Sequence, residues 1–372
     1  MLKILTVFGT RPEIIKLCIL KKKLDKFFIH KTFFTGQNYD ENLSKVFFKE
    51  LNLKKPNYIC QVKNKSLINK ISHMLNETEK VIKKFTPDAF LLLGDTNSAL
   101  TSLVAKKYKI PIFHLEAGNR CFDERVPEEV NRRIVDHISD INLVYTEHAR
   151  KNLEMEGINK KKIIKTGSPL PEILYEFKDK IYKSKVLKKI KCKKLEYILF
   201  SSHREENLDN KLNFNNMIDF LVRLSNEFKN KKIIVSTHPR LEEKLSKLKN
   251  KKIKNIYFSK PFSFIDYITL QMNSYCTFSD SGTLTEETAL LGTKGIIIRE
   301  SHERPEGDDK ATCVNFDFDS KNFKSLINFI KYKKSQKDNI PDDYKNLNFS
   351  EVVINSILSK INFVNKYIYF KN

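Results

Sequence analysis

The stretch Leu2-Lys3-Ile4-Leu5-Thr6-Val7-Phe8-Gly9-Thr10-Arg11-Pro12-Glu13-Ile14-Ile15-Lys16 joins a short apolar, β-prone run to a helix start through a single glycine. Gly9 ends the run where the backbone has to turn sharply. Pro12 suits a first helical turn, where its missing N–H costs nothing. The free N–H groups of that turn attract anions. Arg11 and Lys16 add positive charge there, and an arginine can grip a phosphate or carboxylate in two places. Strand, tight turn and anion-attracting helix start form the opening unit of an α/β fold. Neither G-x-x-x-x-G-K-[ST] nor G-x-G-x-x-G occurs, so the Walker and dinucleotide fingerprints do not apply. On this motif alone, a helix start with solvated charges is the competing reading.

Outward from that unit the pattern repeats. Strand-like runs are predicted at 2–8, 30–35, 89–93, 110–115, 141–145 and 162–166, with helical spacing at 12–24, 40–50, 66–84, 97–107, 127–139 and 147–156. Alternation of this kind predicts a parallel sheet covered on both faces. After a Lys-rich break at 171–194 it restarts, with strands at 197–202, 232–237, 254–259, 275–279, 295–299 and 312–317, and helices at 211–228, 240–249, 263–273, 283–291 and 321–333. The fold class is therefore α/β, with two Rossmann-like doubly wound domains, 1–170 and 171–350, and a helical tail at 351–372 that crosses back to the first domain. Ligands in such sheets bind beyond the carboxyl ends of the strands, so two such domains are expected to face each other across a cleft.

The 372 residues suit two domains. Six cysteines lie far apart with no C-x-x-C pair, which argues against a zinc ribbon, a redox motif or a disulfide framework and fits a reducing, cytoplasmic location. The eight histidines show no H-x-x-x-H or H-E-x-x-H spacing, so no metal or other cofactor is expected. The first apolar run is strand-sized and not a signal peptide. No run approaches the ~18 consecutive apolar residues of a membrane span. The net charge of +23 invites a nucleic-acid reading. The lysines, however, fall in runs such as Lys160 to Lys162 and Lys247 to Lys254, mostly between elements and not along one groove-reading helix, and charge of that kind speaks to attraction and solubility rather than to fold. No nucleic-acid partner is expected.

Glycine is scarce, ten in all, and Gly9, Gly36, Gly94, Gly118, Gly167 and Gly282 fall just after β-type runs. The polar residues beside them carry the chemistry. Leu93-Gly94-Asp95-Thr96 places an Asp at a strand tip, as a base or as the cap of the next helix. His114-Leu115-Glu116-Ala117-Gly118 is followed by Pro127-Glu128-Glu129-Val130-Asn131-Arg132, where Glu128 and Arg132 share a helix face and Glu129–Arg133 reads as an ordinary helix ion pair. Three carboxylates, Asp95, Glu116 and Glu128, can shift one another's ionisation and divide acid and base roles. In the second half, strand tips carry His203-Arg204, His238-Pro239, Ser279-Asp280-Ser281-Gly282-Thr283 and Arg299 to Glu306. Ser281-Gly282-Thr283 offers backbone donors at a helix start, suited to a diphosphate, and Glu287 one turn later can accept two hydroxyls, as from a ribose. These features favour a nucleotide site.

The ordered motifs Gly9-Thr10-Arg11-Pro12-Glu13, Gly94-Asp95-Thr96, His114 to Gly118, Pro127 to Arg132, His203-Arg204, His238-Pro239, Asp280-Ser281-Gly282, Glu286-Glu287 and Glu303 to Glu306 resemble those of the non-hydrolysing UDP-N-acetylglucosamine 2-epimerases over nearly the whole chain. The resemblance implies a GT-B-like fold, a UDP-sugar substrate, a homodimer and a reaction that eliminates UDP and re-adds it after carbon 2 has been reprotonated on its other face. It implies Asp95, Glu116 and Glu128 as acid/base groups, with His203 assisting at the diphosphate. Arg11, Lys16 and Arg132 would steady the departing charge, His238 would hold the nucleotide, and Ser281, Gly282, Thr283, Glu287 and Arg304 would form the UDP site.

Two departures stand out. The second glycine usual after Asp-Ser-Gly is Thr283, and Gly36-Gln37 continues with Asn38 where regulated members carry His, which puts allosteric activation in doubt. The stretch Glu116 to Asp123 also resembles the capsule and O-antigen branch, in which the substrate can be a 6-deoxy sugar on the way to UDP-N-acetyl-L-fucosamine. Competing readings are a hydrolysing epimerase, a GT-B glycosyltransferase and a basic nucleic-acid-binding protein.

Overall fold

The computed structural model describes residues 1–36, 47–61, 66–202, 211–236, 255–318, 321–333 and 339–371. It divides into two units, Met1–Tyr175 with Asp342–Asn372, and Glu176–Pro341. Residues 342–350 thus group with the first unit, although the sequence pattern had put them at the end of the second domain.

In the first unit the strands are β1 (Lys3–Phe8), β2 (Ile29–Phe34), β3 (Tyr58–Ile59), β4 (Ala89–Leu93), β5 (Ile112–Leu115), β6 (Ile141–Val144) and β7 (Ile163–Lys165). All described pairings are parallel, in the order β3-β2-β1-β4-β5-β6-β7. Strands covered on both faces read as continuous apolar runs, and Ala89 to Leu93 is buried at every position. The two-residue strand β3 escaped the sequence pattern, being too short to show any periodicity. The helices are α1 (Arg11–Lys16), α2 (Cys18–Phe27), α3 (Leu67–Phe85), α4 (Ser102–Lys107), α5 (Pro127–Ile138) and α6 (Glu147–Met155), and α7 (Leu170–Tyr182) begins in this unit and ends in the second. The helix expected over 12–24 is two segments separated by Leu17. Helix α3 buries Met74, Thr78, Val81, Ile82 and Phe85, one stripe at three- and four-residue spacing.

In the second unit β8 (Tyr197–Ser201), β9 (Lys232–Ser236), β10 (Ile256–Ser259), β11 (Thr277–Ser279), β12 (Gly295–Ile297) and β13 (Cys313–Asn315) form a parallel sheet in the order β10-β9-β8-β11-β12-β13. Its helices include α8 (Lys211–Glu227), α9 (Phe264–Asn273), α10 (Leu284–Leu291), α11 (Pro305–Asp309) and α12 (Phe323–Tyr332). Phe220 of α8 lies 5.4 to 6.0 Å, ring centre to ring centre, from Phe278, Phe316, Phe318 and Phe323. These aromatic contacts fill one face of the sheet.

The tail helix α13 (Phe349–Phe363) belongs to the first unit. Ser350 donates from its N–H and its hydroxyl to Glu172 of α7, at 3.2 and 2.6 Å. Tyr369 donates to Asp140 at 2.7 Å. Among the described residues no helix is long and apolar enough to cross a membrane.

Both strand orders reverse direction once, between β1 and β4 in the first sheet and between β8 and β11 in the second. Such switch points splay the adjoining loops apart and leave room for a ligand. The described residues at these two points are Gly9 to Arg11 with Gly94 to Thr96, and Ser202 with Asp280 to Thr283.

Candidate active site

At the first switch point the backbone is packed too tightly for any side chain on Gly9. A Cβ there would sit 2.0 Å from Ser98 Oγ and 2.2 Å from Thr35 Oγ1, two hydroxyls that themselves lie 2.6 Å apart. Beside it, Glu13 is buried. Its Oε2 accepts from the N–H groups of Gly9 and Thr10 at 2.6 and 2.7 Å, and its Oε1 accepts from Thr96 Oγ1 at 2.8 Å. One carboxylate thus holds the β1–α1 turn against the loop that carries Asp95. Burial pushes the Glu13 carboxyl up to about 7, outweighing the hydrogen bonds that oppose it.

A pH effect follows. Below pH ~4.5, Glu13 is protonated whether the chain is folded or unfolded. Between ~4.5 and about 7 the folded chain keeps a proton that the unfolded chain has released, so stability falls as pH rises through that window, by up to roughly 3 kcal/mol. Glutamine can keep all three contacts, accepting from the two N–H groups and donating to Thr96. Glu13→Gln should therefore flatten this part of the stability–pH curve, as read from denaturant midpoints between pH ~5 and ~8. A variant with the wild-type slope would contradict the assignment.

Two carboxylate–cation pairs stand at the ends of adjacent strands. Lys16 Nζ lies 2.7 and 2.6 Å from the two oxygens of Glu116, and both side chains are nearly buried. Glu116 follows β5 with φ +65°, a left-handed conformation that costs a non-glycine residue roughly 1 kcal/mol or more. Its side chain extends over Gly94, with Oε2 3.9 Å from where a Cβ on that glycine would be. Asp95 is the next residue. Its Oδ2 accepts from Arg132 Nε and Nη2 at 2.9 and 2.5 Å, and its carbonyl accepts from Asn131 Nδ2 at 3.0 Å. Arg132 also reaches Glu129, at 3.0 Å. Glu128 is half-buried in the first turn of α5, where free N–H groups favour a carboxylate. Arg11 begins α1, with its guanidinium 5.8 Å from the ring centre of Phe47.

Behind these groups lies a fully buried cluster. Asp136 has its Oδ1 2.9 Å from His114 Nδ1, accepts from Arg120 Nη1 at 2.7 Å, and faces the Gly118 N–H at 3.2 Å. His114 Nε2 lies 2.8 Å from the Gly94 carbonyl. Arg120 is held further by Glu156, at 2.7 and 2.6 Å. Burial would raise the Asp136 carboxyl, but His114 and Arg120 more than offset this and hold it below the usual carboxylate range. Gly118 has φ +80°, and a Cβ there would meet the Ala149 carbonyl oxygen at 2.3 Å.

At the second switch point Ser202 Oγ donates to Asp280 at 2.8 Å. Ser201, Ser279 and Tyr267 form a hydroxyl cluster at 2.8 Å spacing. Ser281 Oγ lies 2.9 Å from Thr283 Oγ1, which donates to Glu287 Oε1 at 2.8 Å. Glu287 Oε2 accepts from the buried Gln271 at 2.7 Å. Glu303 leans over Gly282, with Oε1 2.4 Å from where a Cβ would be, and is paired with Arg299 at 3.1 Å. Arg304 is turned inward onto Glu286 at 2.6 Å, both buried.

Of the residues singled out from sequence, the first unit brings together Lys16 with Glu116 and Arg132 with Asp95, while the second brings together Ser281, Thr283 and Glu287. His203 and His238 lie outside the described residues. Glu13, Glu129, Asp136 and Gln271 were not foreseen as members of these clusters. Glu13 had a visible signal, since Thr10-x-x-Glu13 has the spacing of a capping box. Glu129 does reach Arg133, at 3.4 Å, but its principal partners are Arg132 and the Cys121 N–H, both at 3.0 Å.

The model of the family described as UDP-N-acetylglucosamine 2-epimerase matches residues 22–358. The UDP-N-acetylglucosamine 2-epimerase of Methanocaldococcus jannaschii is 37% identical over 321 residues, 82% of this chain and 86% of that protein. A solved structure of UDP-N-acetylglucosamine 2-epimerase from Rickettsia bellii covers 100% of both chains at 40% identity with a TM-score of 0.92. The M. jannaschii UDP-GlcNAc 2-epimerase in complex with UDP-GlcNAc and UDP aligns at 32% identity, over 96% of this chain and 100% of that one, with a TM-score of 0.89. The GT-B-like fold extends to a glycosyltransferase of Rickettsia africae, at 13% identity and for the fold alone.

Proposed function

The chain belongs to the UDP-N-acetylglucosamine 2-epimerase family, and from that premise we propose that it interconverts UDP-N-acetylglucosamine and UDP-N-acetylmannosamine without net hydrolysis, using the two carboxylate–cation pairs of its first unit. The observation that carries this reading is the pairing of Lys16 with Glu116 and of Arg132 with Asp95 at adjacent strand ends.

The reaction needs what those pairs offer. The hydrogen on carbon 2 is not acidic, so its removal has to be concerted with departure of UDP from carbon 1. A carboxylate takes the proton as the carbon 1–oxygen bond breaks, leaving a 2-acetamidoglucal and UDP. A second acid then delivers a proton to the opposite face of carbon 2, and UDP returns to carbon 1. Asp95, Glu116 and Glu128 are the acid/base groups. Lys16 and Arg132, each already beside a carboxylate, can turn toward charge developing on the departing diphosphate. Arg11, at the start of α1, adds to that field. In the second unit Ser281 and the Gly282-Thr283 turn receive the diphosphate, and Glu287 receives the ribose. Arg304 positions this site by holding Glu286 next to Glu287. His203 assists at the diphosphate and His238 holds the nucleotide.

On this reading the enzyme is a homodimer that supplies an activated aminosugar for surface polysaccharide. The test is incubation with UDP-N-acetylglucosamine in heavy water, followed by proton NMR. Deuterium at carbon 2 with a UDP-N-acetylmannosamine signal is the expected result. Free sugar with UDP would indicate the hydrolysing reaction instead. Absence of exchange would overturn the substrate assignment and direct the same assay to the 6-deoxy-L-talose analogue.

A further inference from the structure

The acceptors at the second switch point fix the direction of its hydrogen bonds. An ionised carboxylate only accepts. Glu287 Oε2 is engaged by Gln271, and Glu287 Oε1 takes the proton of Thr283 Oγ1. A hydroxyl has one proton, and that of Thr283 is therefore spent. Its 2.9 Å contact with Ser281 has to be donated by Ser281. The Ser281 proton then points along the chain of hydroxyls to Thr283, and the oxygen it leaves facing outward carries lone pairs, which repel a phosphate.

We propose that Thr283 is a specificity-determining residue that couples ribose recognition to the grip on the diphosphate. A ribose hydroxyl that donates to Glu287 Oε1 competes there with the Thr283 proton and weakens its hold. Thr283 Oγ1 can then turn its proton onto Ser281, and Ser281 is released to donate to a phosphate oxygen. The ligand class this favours is a nucleoside diphosphate with an intact ribose diol. A ligand lacking the diol leaves the relay in its resting direction, with Ser281 unable to donate. The inference rests on the assignment of Glu287 to ribose and Ser281 to phosphate made above.

The test is a set of calorimetric titrations with UDP and 2′,3′-dideoxy-UDP. In the wild-type background Ser281→Ala should weaken UDP about tenfold, the range for a hydrogen bond to a charged group, and dideoxy-UDP less than about twofold. In a Thr283→Val background, of the same shape but without the hydroxyl, Ser281 is free to donate at all times. The same Ser281→Ala change should then cost about tenfold with both ligands. Thr283→Ser, which restores the hydroxyl, should bring back the wild-type difference. Equal Ser281→Ala penalties for both ligands in the wild-type background would overturn the coupling. If Ser281→Ala and Glu287→Gln both left UDP affinity unchanged, the site assignment itself would fail, a distinct result.

Discussion

Replacing Glu116 by glutamine should lower kcat by about 10²- to 10⁴-fold, the range supplied by a positioned acid or base, while UDP binds within about threefold of wild type. Glutamine fills the same space at the end of β5 and can still accept from Lys16, which sits 2.6 to 2.7 Å away, so the loss reads on proton transfer rather than on shape. Lys16 is freed from a charged partner in this variant and has more of its charge available for the diphosphate, which is why UDP affinity should hold or rise slightly. Lys16→Met makes the complementary case. It removes the Lys16 charge from beside the nearly buried Glu116, which should raise the proton affinity of the carboxyl and shift the pH–rate profile toward higher pH. Steady-state kinetics with calorimetry on both variants separates the two effects. A Glu116→Gln enzyme with more than about a tenth of wild-type turnover would remove Glu116 from the acid/base set, and the same outcome for Asp95→Asn would remove the pairing with Arg132 as the basis of the mechanism.

The two variants differ in a way that bears on how the site is built. Glu116 adopts φ +65°, a conformation that nothing in Leu115-Glu116-Ala117 predicts. The sequence pattern located Glu116 correctly at a strand end because β5 is a buried parallel strand and reads as an apolar run. The same logic located Asp95 after β4 and Asp280 after β11. In each of these three cases a run of at least three β-prone residues ends on a polar one. The logic did not work for Tyr58–Ile59, which is too short to alternate, or for the division of the first helix at Leu17. Local spacing predicted that Glu128 and Arg132 would share a face of α5. The contact of Arg132 with Asp95, 37 residues away, depends instead on where the β4 loop lies in space, whereas its contact with Glu129 is a local pair one turn along α5. Glu13 lay between these cases. Its link to the Thr10 N–H is local and readable, while its bond to Thr96 crosses between loops and is a property of the strand order β1-β4.

Asp136 had no local signal at all, and its removal should have the largest effect on stability. It is fully buried and holds His114, Arg120 and the Gly118 N–H, residues 16 to 22 positions earlier in the chain. Asp136→Ala leaves the buried Arg120 guanidinium with Glu156 and the Asn119 carbonyl but without its buried carboxylate, and leaves His114 facing a void. Breaking a buried ion pair from one side costs about 3–5 kcal/mol, which for a unit of this size lowers the unfolding temperature by roughly 6–20 °C. The pH dependence distinguishes lost charge from lost packing. The Asp136 carboxyl is held below its ordinary range, so its stabilisation is present above pH ~4 and disappears as pH falls through the folded-state value. The gap between wild type and Asp136→Ala should therefore narrow in acid, whereas a gap caused only by the missing atoms would stay constant. Turnover should fall as well, because the segment from His114 to Gly118 carries Glu116 in its strained conformation and Asp136 holds that segment at both ends. UDP binding, assigned to the second unit, should survive at temperatures where the variant remains folded. Thermal unfolding at neutral and acidic pH, with kcat and UDP affinity measured on the same preparation, reads all three quantities. A variant that matched wild type in stability at neutral pH would show that the cluster beneath the strand ends does not hold the site in place.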